Sequence, residues 1–134
     1  MRYMMLVYST QPPEGLSPAD ADQLRTAHWK VMDEATQKGV LLGAEPLAPV
    51  ASATTVRMQA GKAVVTDGPF AETKEHLAGY YIIECKNLDE AIDWAAKIPT
   101  ACAGAQGSIE IRPMPGLPAR SEAPALTGTS ASNG

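Results

Sequence analysis

Cysteine, phenylalanine and basic side chains are all scarce in this sequence, and long apolar runs are missing. A membrane-spanning helix needs roughly 20 apolar residues, and no run approaches that length. The 11 basic residues are outnumbered by 15 acidic ones and form no stripe, so we expect no nucleic-acid partner. Cys85 and Cys102 have no CxxC spacing, which favours free thiols in a reducing cytoplasm over a disulfide.

The composition that is present predicts one folded domain with a tail. Apolar residues make up 45% of the 134 residues and charged residues 19%, enough for one core but not for two. The apolar run at residues 1–8 is too short for a signal sequence, and we interpret it as a strand. We expect the domain to cover residues 1–115. Residues 116–134 are rich in Pro, Ala, Ser, Thr and Gly without an apolar period, so we expect them to be disordered.

Two segments carry helix signals. Ser17 suits an N-cap, and apolar residues then recur every three or four positions until the stop at Gly39. Asn87 caps a second segment whose first turn is acidic, and we expect this helix to end at Pro99. Its predicted core face consists of Leu88, Ala91, Ile92, Ala95 and Ala96. Each helix follows a strand-like run, which predicts two β-α units.

Apolar and β-branched runs predict the strands, at residues 3–8, 40–47, 54–59, 62–66, 80–85 and 108–112. Ala60 and Gly61 separate the third and fourth runs and predict a hairpin turn. Pro46 marks residues 40–47 as an edge or bent strand. The resulting order, β-α-β, hairpin, β-α-β, is typical of an α+β, ferredoxin-like split-βαβ fold with an added hairpin.

Residues 67–79, DGPFAETKEHLAG, combine ionisable groups with glycine and proline between two predicted strands. Such a loop is a candidate functional site. Asp67 is a candidate general acid or base, and the alternative is that its carboxylate accepts backbone hydrogen bonds in the following turn. We expect Phe70 to point inward as an apolar anchor, with Glu72 close enough to share its pocket. Lys74 is a second candidate binding residue, and the alternative for both charges is a solvated surface.

His28 is the candidate proton shuttle on the first helix. It lies on the apolar stripe, so the alternative is a buried, hydrogen-bonded histidine. Trp29 and Tyr80 are candidates for shaping the cavity beside it. We expect neither a metal nor an organic cofactor, because the histidines lack ligand spacing and no nucleotide-binding motif occurs.

The segment TDGPFAETKE at residues 66–75, followed by AGYY at 78–81, resembles the signature of the DGPF branch of the YCII-related proteins. The resemblance covers nearly all of residues 1–114. It implies a dimeric α+β barrel in which two sheets pack face to face, so we expect a homodimer. It also implies small-molecule chemistry, since the wider superfamily includes lactone isomerases, dehalogenating enzymes and monooxygenases.

The same resemblance implies that His28 corresponds to one half of an active His–Asp pair in the better-known branch of the family. The aspartate would lie after the second helix, near Ile98 and Pro99, and none occurs there. A His–Asp pair in this chain would need another aspartate, such as Asp67.

Two functions remain open from the sequence. One is a cofactor-independent enzyme with isomerase-like or lyase-like acid/base chemistry, in which Asp67 and His28 move protons. The other is a non-catalytic small-molecule-binding or regulatory protein, because relatives with this motif are encoded near sigma factors or fused to them. A closed cavity that holds both residues within proton-transfer reach would favour the enzyme. A loop packed into a dimer contact would favour the binding protein.

Overall fold

A computed structural model describes residues 1–100 and 106–118 of the chain. The predicted order of elements is confirmed within these ranges: β1 (Arg2–Ser9), α1 (Pro18–Gln37), β2 (Leu41–Pro46), a short 3-10 helix (Val50–Ser52), β3 (Thr54–Gln59), β4 (Lys62–Asp67), β5 (His76–Glu84), α2 (Leu88–Ala95) and β6 (Gly107–Met114). Cys102 and most of the predicted tail lie outside the described residues.

Four strands form the main sheet in the order β2-β5-β1-β6, and every neighbouring pair is antiparallel. β1 and β2 therefore run parallel to each other with β5 between them. This is the split-βαβ arrangement, so the ferredoxin-like α+β prediction is confirmed. β2 lies at an edge, as Pro46 indicated, and β6 forms the other edge, where a proline near the strand end is tolerated.

The helix ends follow from local hydrogen bonds. Ser17 Oγ accepts from the backbone N–H of Asp20 at 3.2 Å, and Asn87 Oδ1 accepts from that of Glu90 at 3.0 Å, as the cap predictions required. α2 ends at Ala95, earlier than predicted. The N–H groups of Lys97 and Ile98 instead bond the carbonyls three residues back, because a residue before Pro99 avoids helical geometry.

One face of the sheet carries the core. Met5 and Ile83 are almost completely buried against both helices, with Val31 and Ala35 from α1. α2 contributes Ala91 and Trp94. Leu88 and Ile92 are about half exposed, so their predicted place in the core is wrong. On α1, the two residues that are fully buried both lie in the carboxyl-terminal half, which leaves the amino-terminal half less closely packed.

Side chains of the opposite sheet face stand outside this core. Met4 pairs across the strands with Ile82, and Leu6 pairs with Tyr80. All four side chains are only partly buried. We call this surface, with its apolar centre at these residues, the open face.

β3 and β4 form a separate two-stranded hairpin. Ala60 and Gly61 have φ values of 49° and 79°, the left-handed pair that a two-residue hairpin turn requires, so the turn prediction is confirmed. No helix in the described part of the chain is long and apolar enough to cross a bilayer.

Candidate functional site

A cavity of about 580 Å³ lies between the amino-terminal half of α1 and the sheet. Leu24, His28 and Met32 line it from successive turns of α1, because residues four apart share one helix face. The sheet side is formed partly by Val7, Ala78 and Gly79. The cavity therefore lies where the inner stripe of α1 faces the sheet beyond the closely packed carboxyl-terminal half of the helix.

His28 and Tyr81 meet in this cavity. His28 Nδ1 lies 2.6 Å from Tyr81 Oη, a hydrogen bond between α1 and β5. The two rings are tilted by 32° with centroids 5.8 Å apart, so the contact runs through the polar atoms and not through stacking. A helix side chain is thus held in place by a hydroxyl on the sheet.

Burial keeps both members of this pair neutral. It lowers the pKa of His28 below its ordinary value of 6.5 and raises the pKa of Tyr81 to about 12. One proton is shared between Nδ1 and Oη. If Tyr81 Oη donates it, His28 Nε2 carries a hydrogen and is a donor, and Oη can accept one more bond. If His28 Nδ1 donates it, Nε2 is an acceptor and the Oη hydrogen can be donated elsewhere. The pair can therefore supply an acid and a base at neutral pH.

The rest of the lining is mostly apolar. Its charged residues are Arg25, which forms an ion pair with Asp22 on the same helix, and Glu45, which pairs with Tyr80 and so points to the open face. Positive and negative charge are thus balanced at the cavity. This environment suits an uncharged, largely apolar organic molecule with one or two oxygen atoms.

Trp29 and Tyr80 both border the same cavity as His28, but the structure brings together only the side chains of His28 and Trp29. Trp29 is 55% exposed and lies at the rim. Tyr80 lies on the sheet face opposite to Tyr81, because consecutive strand residues alternate.

Asp67 is not among the residues that line the cavity. It is the last residue of β4 and is exposed, so the prediction that it faces His28 beneath α1 is wrong within the described chain. Gly68 has a φ of 95°; its N–H donates to the Ala53 carbonyl at 2.7 Å and its carbonyl accepts from Thr55 Oγ1 at 2.8 Å. The loop is held to the base of the hairpin and not to the helix.

The remaining loop residues face solvent. Phe70 is 75% exposed, so its predicted role as an inward anchor is wrong, and it contributes a carbonyl that accepts from Arg57 at 3.2 Å. Glu72 and Lys74 are exposed as well. Glu75 does tie the loop to the main sheet, because its Oε1 accepts from Ser108 Oγ at 2.7 Å.

Tyr81 is the site residue that the sequence analysis missed. The run from Tyr80 to Ile83 is apolar throughout, so it does not reveal which of two adjacent tyrosines faces the helices. The observed register pairs Tyr81 with Met5, whose face is the core face. Among the described residues, no group of three or more His, Cys, Asp and Glu side chains is placed to hold a metal.

The ferredoxin-like order and the helix–sheet cavity define a class of small α+β proteins, and the sequence comparisons identify the family. Residues 1–115 match the model of the YCII-related domain, so the chain belongs to the YCII-related family, as the motif predicted. It is 36% identical over 115 residues to an uncharacterized protein of Rhizobium meliloti (strain 1021). That match covers 85% of this chain and 92% of the relative.

Proposed function

We propose that this protein is a cofactor-independent enzyme that performs acid/base chemistry on a small organic molecule in the α1 cavity. The observation that carries the proposal is the 2.6 Å contact between His28 Nδ1 and Tyr81 Oη in the cavity lining. A neutral imidazole and a neutral phenol side by side can act as a general base and a general acid, which remove one proton from a substrate and donate another to it.

An isomerisation fits this pair. One member removes a proton from a carbon next to a carbonyl, and the other donates a proton to the oxygen on which charge develops. The base then gives its proton to a second carbon while the enol oxygen returns its proton to the acid, so both side chains recover their neutral starting state. Lyase-type elimination uses the same first step, with the proton donated to the leaving group.

The lining indicates the substrate class. Its apolar walls and balanced charges favour an uncharged ketone, lactone or phenol over a carboxylate. Trp29 would position the ring of such a molecule at the rim, whereas the Tyr80 side chain lies on the open face of the sheet. Asp67, Phe70, Glu72 and Lys74 have no part in this proposal, because they lie in the solvent-facing loop.

We also infer that the protein acts as a homodimer in the cytoplasm. The partly buried apolar side chains of the open face support the homodimer, since a sheet with an apolar second face requires a partner. The buried free thiol of Cys85 is in keeping with a reducing compartment.

The test is a thermal-shift screen with small ketones, lactones and phenols beside their carboxylate analogues, followed by proton exchange. Hits should raise the melting temperature of the full chain. NMR in D2O should then show deuterium entering the carbon next to the carbonyl. Tyr81→Phe and His28→Gln should each lower the exchange rate by about 100-fold or more, whereas Tyr8→Phe on β1, which removes a hydroxyl outside the cavity, should not.

The outcomes separate the two functions. Ligand binding that depends on His28, without exchange or turnover of any hit, would favour a small-molecule-binding protein. Exchange that survives in both His28→Gln and Tyr81→Phe would overturn the proposed pair.

A further inference from the structure

A small pocket adjoins the α1 cavity at the end of the sheet where β1 stops and β5 begins. Its volume is about 20 Å³, room for roughly one water molecule. Ser9, the last residue of β1, and His76, the first residue of β5, both line it. We call this space the Ser9–His76 pocket. It borders the α1 cavity, because both spaces are lined by Gln11, Leu47, Pro49 and Ala78.

A β-bulge in β5 places His76 on the sheet face that bears the cavity. The register between β1 and β5 shifts after Val7, which leaves Ala78 of β5 without a partner on β1. In a regular strand, residues 76 and 81 would lie on opposite faces, because side chains alternate and the two are an odd number of positions apart. The extra residue reverses this alternation. His76 therefore shares the core face with Tyr81.

Ser9 supplies a buried hydroxyl group on the same face. It pairs directly with His76, and directly opposed residues have Cβ atoms about 4.5–5.5 Å apart on one face of the sheet. Ser9 is 0% exposed, and its Oγ accepts from the Gln11 N–H at 3.2 Å. Within the described part of the chain this is the only hydrogen bond of the Ser9 hydroxyl, so its own hydrogen can be donated to a ligand.

The size and polarity of the pocket select a hydroxyl group. A neutral His76 ring carries one donor nitrogen and one acceptor nitrogen, and Ser9 has a hydrogen to donate. A ligand hydroxyl can accept from Ser9 and form a further hydrogen bond with His76, and it needs no more room than a water molecule. A carboxylate has two oxygen atoms and no hydrogen, so it is larger than the pocket and matches it less well.

The pocket lies far from Tyr81 along the sheet. Tyr81 pairs with Met5 and His76 pairs with Ser9, so the two positions differ by four residues along β1. At about 3.3 Å a residue, this separation is roughly 13 Å. The α1 cavity extends between the two positions, since its lining includes Tyr81 at one end and Ala78, beside the pocket, at the other. An elongated molecule can therefore lie with one end at each position.

We propose that the Ser9–His76 pocket binds a hydroxyl group at one end of the substrate, while the carbonyl at the other end lies at His28 and Tyr81. The inference rests on the proposed function and narrows its substrate class to elongated, uncharged hydroxyketones. The apolar walls of the α1 cavity hold the chain between the two polar ends. The substrate hydroxyl takes the position and the hydrogen bonds that a water molecule would have in the free protein.

The test measures how a terminal hydroxyl group changes ligand affinity. Straight-chain methyl ketones of six, eight and ten carbons, each with and without a hydroxyl on the last carbon, are titrated into the full chain by calorimetry. For the ten-carbon ketone the hydroxyl should raise the affinity by about tenfold or more, the effect expected of two neutral hydrogen bonds. The six-carbon ketone is too short to reach both positions, so its hydroxyl should bring no gain, because burying an unbonded hydroxyl in an apolar cavity is unfavourable.

Two variants assign the gain to the pocket. Ser9→Ala removes the buried hydroxyl and His76→Leu removes the imidazole, and each should reduce the tenfold ratio to about threefold or less. Each ratio compares two ligands on the same variant, so a general loss of stability cancels, and the chain-length comparison needs no variant. Thr66→Ala removes an exposed hydroxyl on the hairpin and should leave the ratio unchanged. His28→Gln should weaken both ten-carbon ligands while the ratio persists.

The outcomes separate this inference from the proposed function. Equal affinity of the two ten-carbon ligands, or a ratio that survives in both Ser9→Ala and His76→Leu, would overturn the hydroxyl site. Proton exchange of the plain ketone that depends on His28 would then still support the enzyme. A ratio that is lost in both variants, without proton exchange of either ligand, would support the hydroxyl site and overturn the catalytic proposal. Failure of all six ketones to bind would overturn the inference together with ketones as substrates.

Discussion

The hydrogen bond between Tyr81 and His28 shows how one hydroxyl group can fix the position of a side chain in the candidate site. Tyr81 Oη bonds the Nδ1 atom of a half-buried helix side chain, and such a hydrogen bond contributes about 0.5–1.5 kcal/mol to stability. The bond therefore fixes the imidazole in one orientation toward the cavity. The same burial makes the pair sensitive to pH.

The first prediction concerns acid stability. Because the folded pKa of His28 lies below 6.5, the unfolded chain takes up a proton first as the pH falls. The contribution of neutral His28 to the free energy of unfolding is complete above pH 6.5 and is lost as the pH falls from there through the folded pKa. Urea unfolding between pH 8 and pH 5 should show the stability difference between wild type and His28→Gln shrinking with acid. A difference that is constant with pH would contradict this.

The Asp67–Gly68 pair gives the second prediction. Gly68→Ala should cost on the order of 1 kcal/mol or more, because a φ of 95° strains any residue with a Cβ although no atom crowds that position. Asp67→Asn should leave the melting temperature and ligand binding in the α1 cavity unchanged, since its carboxylate is exposed and outside the lining.

Thermal unfolding and titration with a screened ligand would check both variants. If Asp67→Asn abolished binding while the fold stayed intact, Asp67 would belong to the site after all. Its carboxylate would then have to reach the cavity from another subunit.

At the scale of elements, the pairing of β2 with β5 depends on a close backbone approach. A Cβ on Gly79 of β5 would lie 2.8 Å from the Glu45 carbonyl oxygen and 3.3 Å from Pro46 Cα, both backbone atoms of the edge strand. Such a contact is too short for any real side chain, so β2 would have to move outward. Because β2 also borders the cavity, the site would change with it.

The third prediction follows from this approach. Gly79→Ala should destabilise the fold by about 1–3 kcal/mol and weaken ligand binding. Gly43→Ala is the matched control on β2 itself, since its Cβ would meet only Ile82 Cδ1 at 4.0 Å, an ordinary contact. Chemical denaturation of the two variants would decide, and equal losses of stability would refute the role assigned to Gly79.

The elements also show how far periodicity can predict a fold. Caps at Ser17 and Asn87, the turn at Ala60 and Gly61, and the order of strands are all local signals, and all are confirmed. The α2 core face was predicted in part: Ala91 and Ala95 pack in the core, whereas Trp94 is buried and Leu88 and Ile92 are not.

For the whole molecule, we propose that the folded domain covers residues 1–115. The fourth prediction is that removing residues 119–134 leaves the melting temperature and the oligomeric state unchanged, because the composition of this segment offers no apolar face. Differential scanning calorimetry and sedimentation of the shortened chain would check this. A loss of several degrees would show that the tail packs on the domain.

The sequence alone determined the family, the element order and the position of His28 on the inner stripe of α1. The signals for these features are a long motif, helix caps and a 3.6-residue periodicity, and each depends only on residues that are close together in the chain. Only the tertiary structure decided that Tyr81, and not Asp67 or Tyr80, is the partner of His28. Contact between residues 53 positions apart depends on strand parity and sheet register. An apolar run such as residues 80–83 of β5 does not encode its parity in sequence, since moving it by one residue exchanges its two faces without changing its pattern.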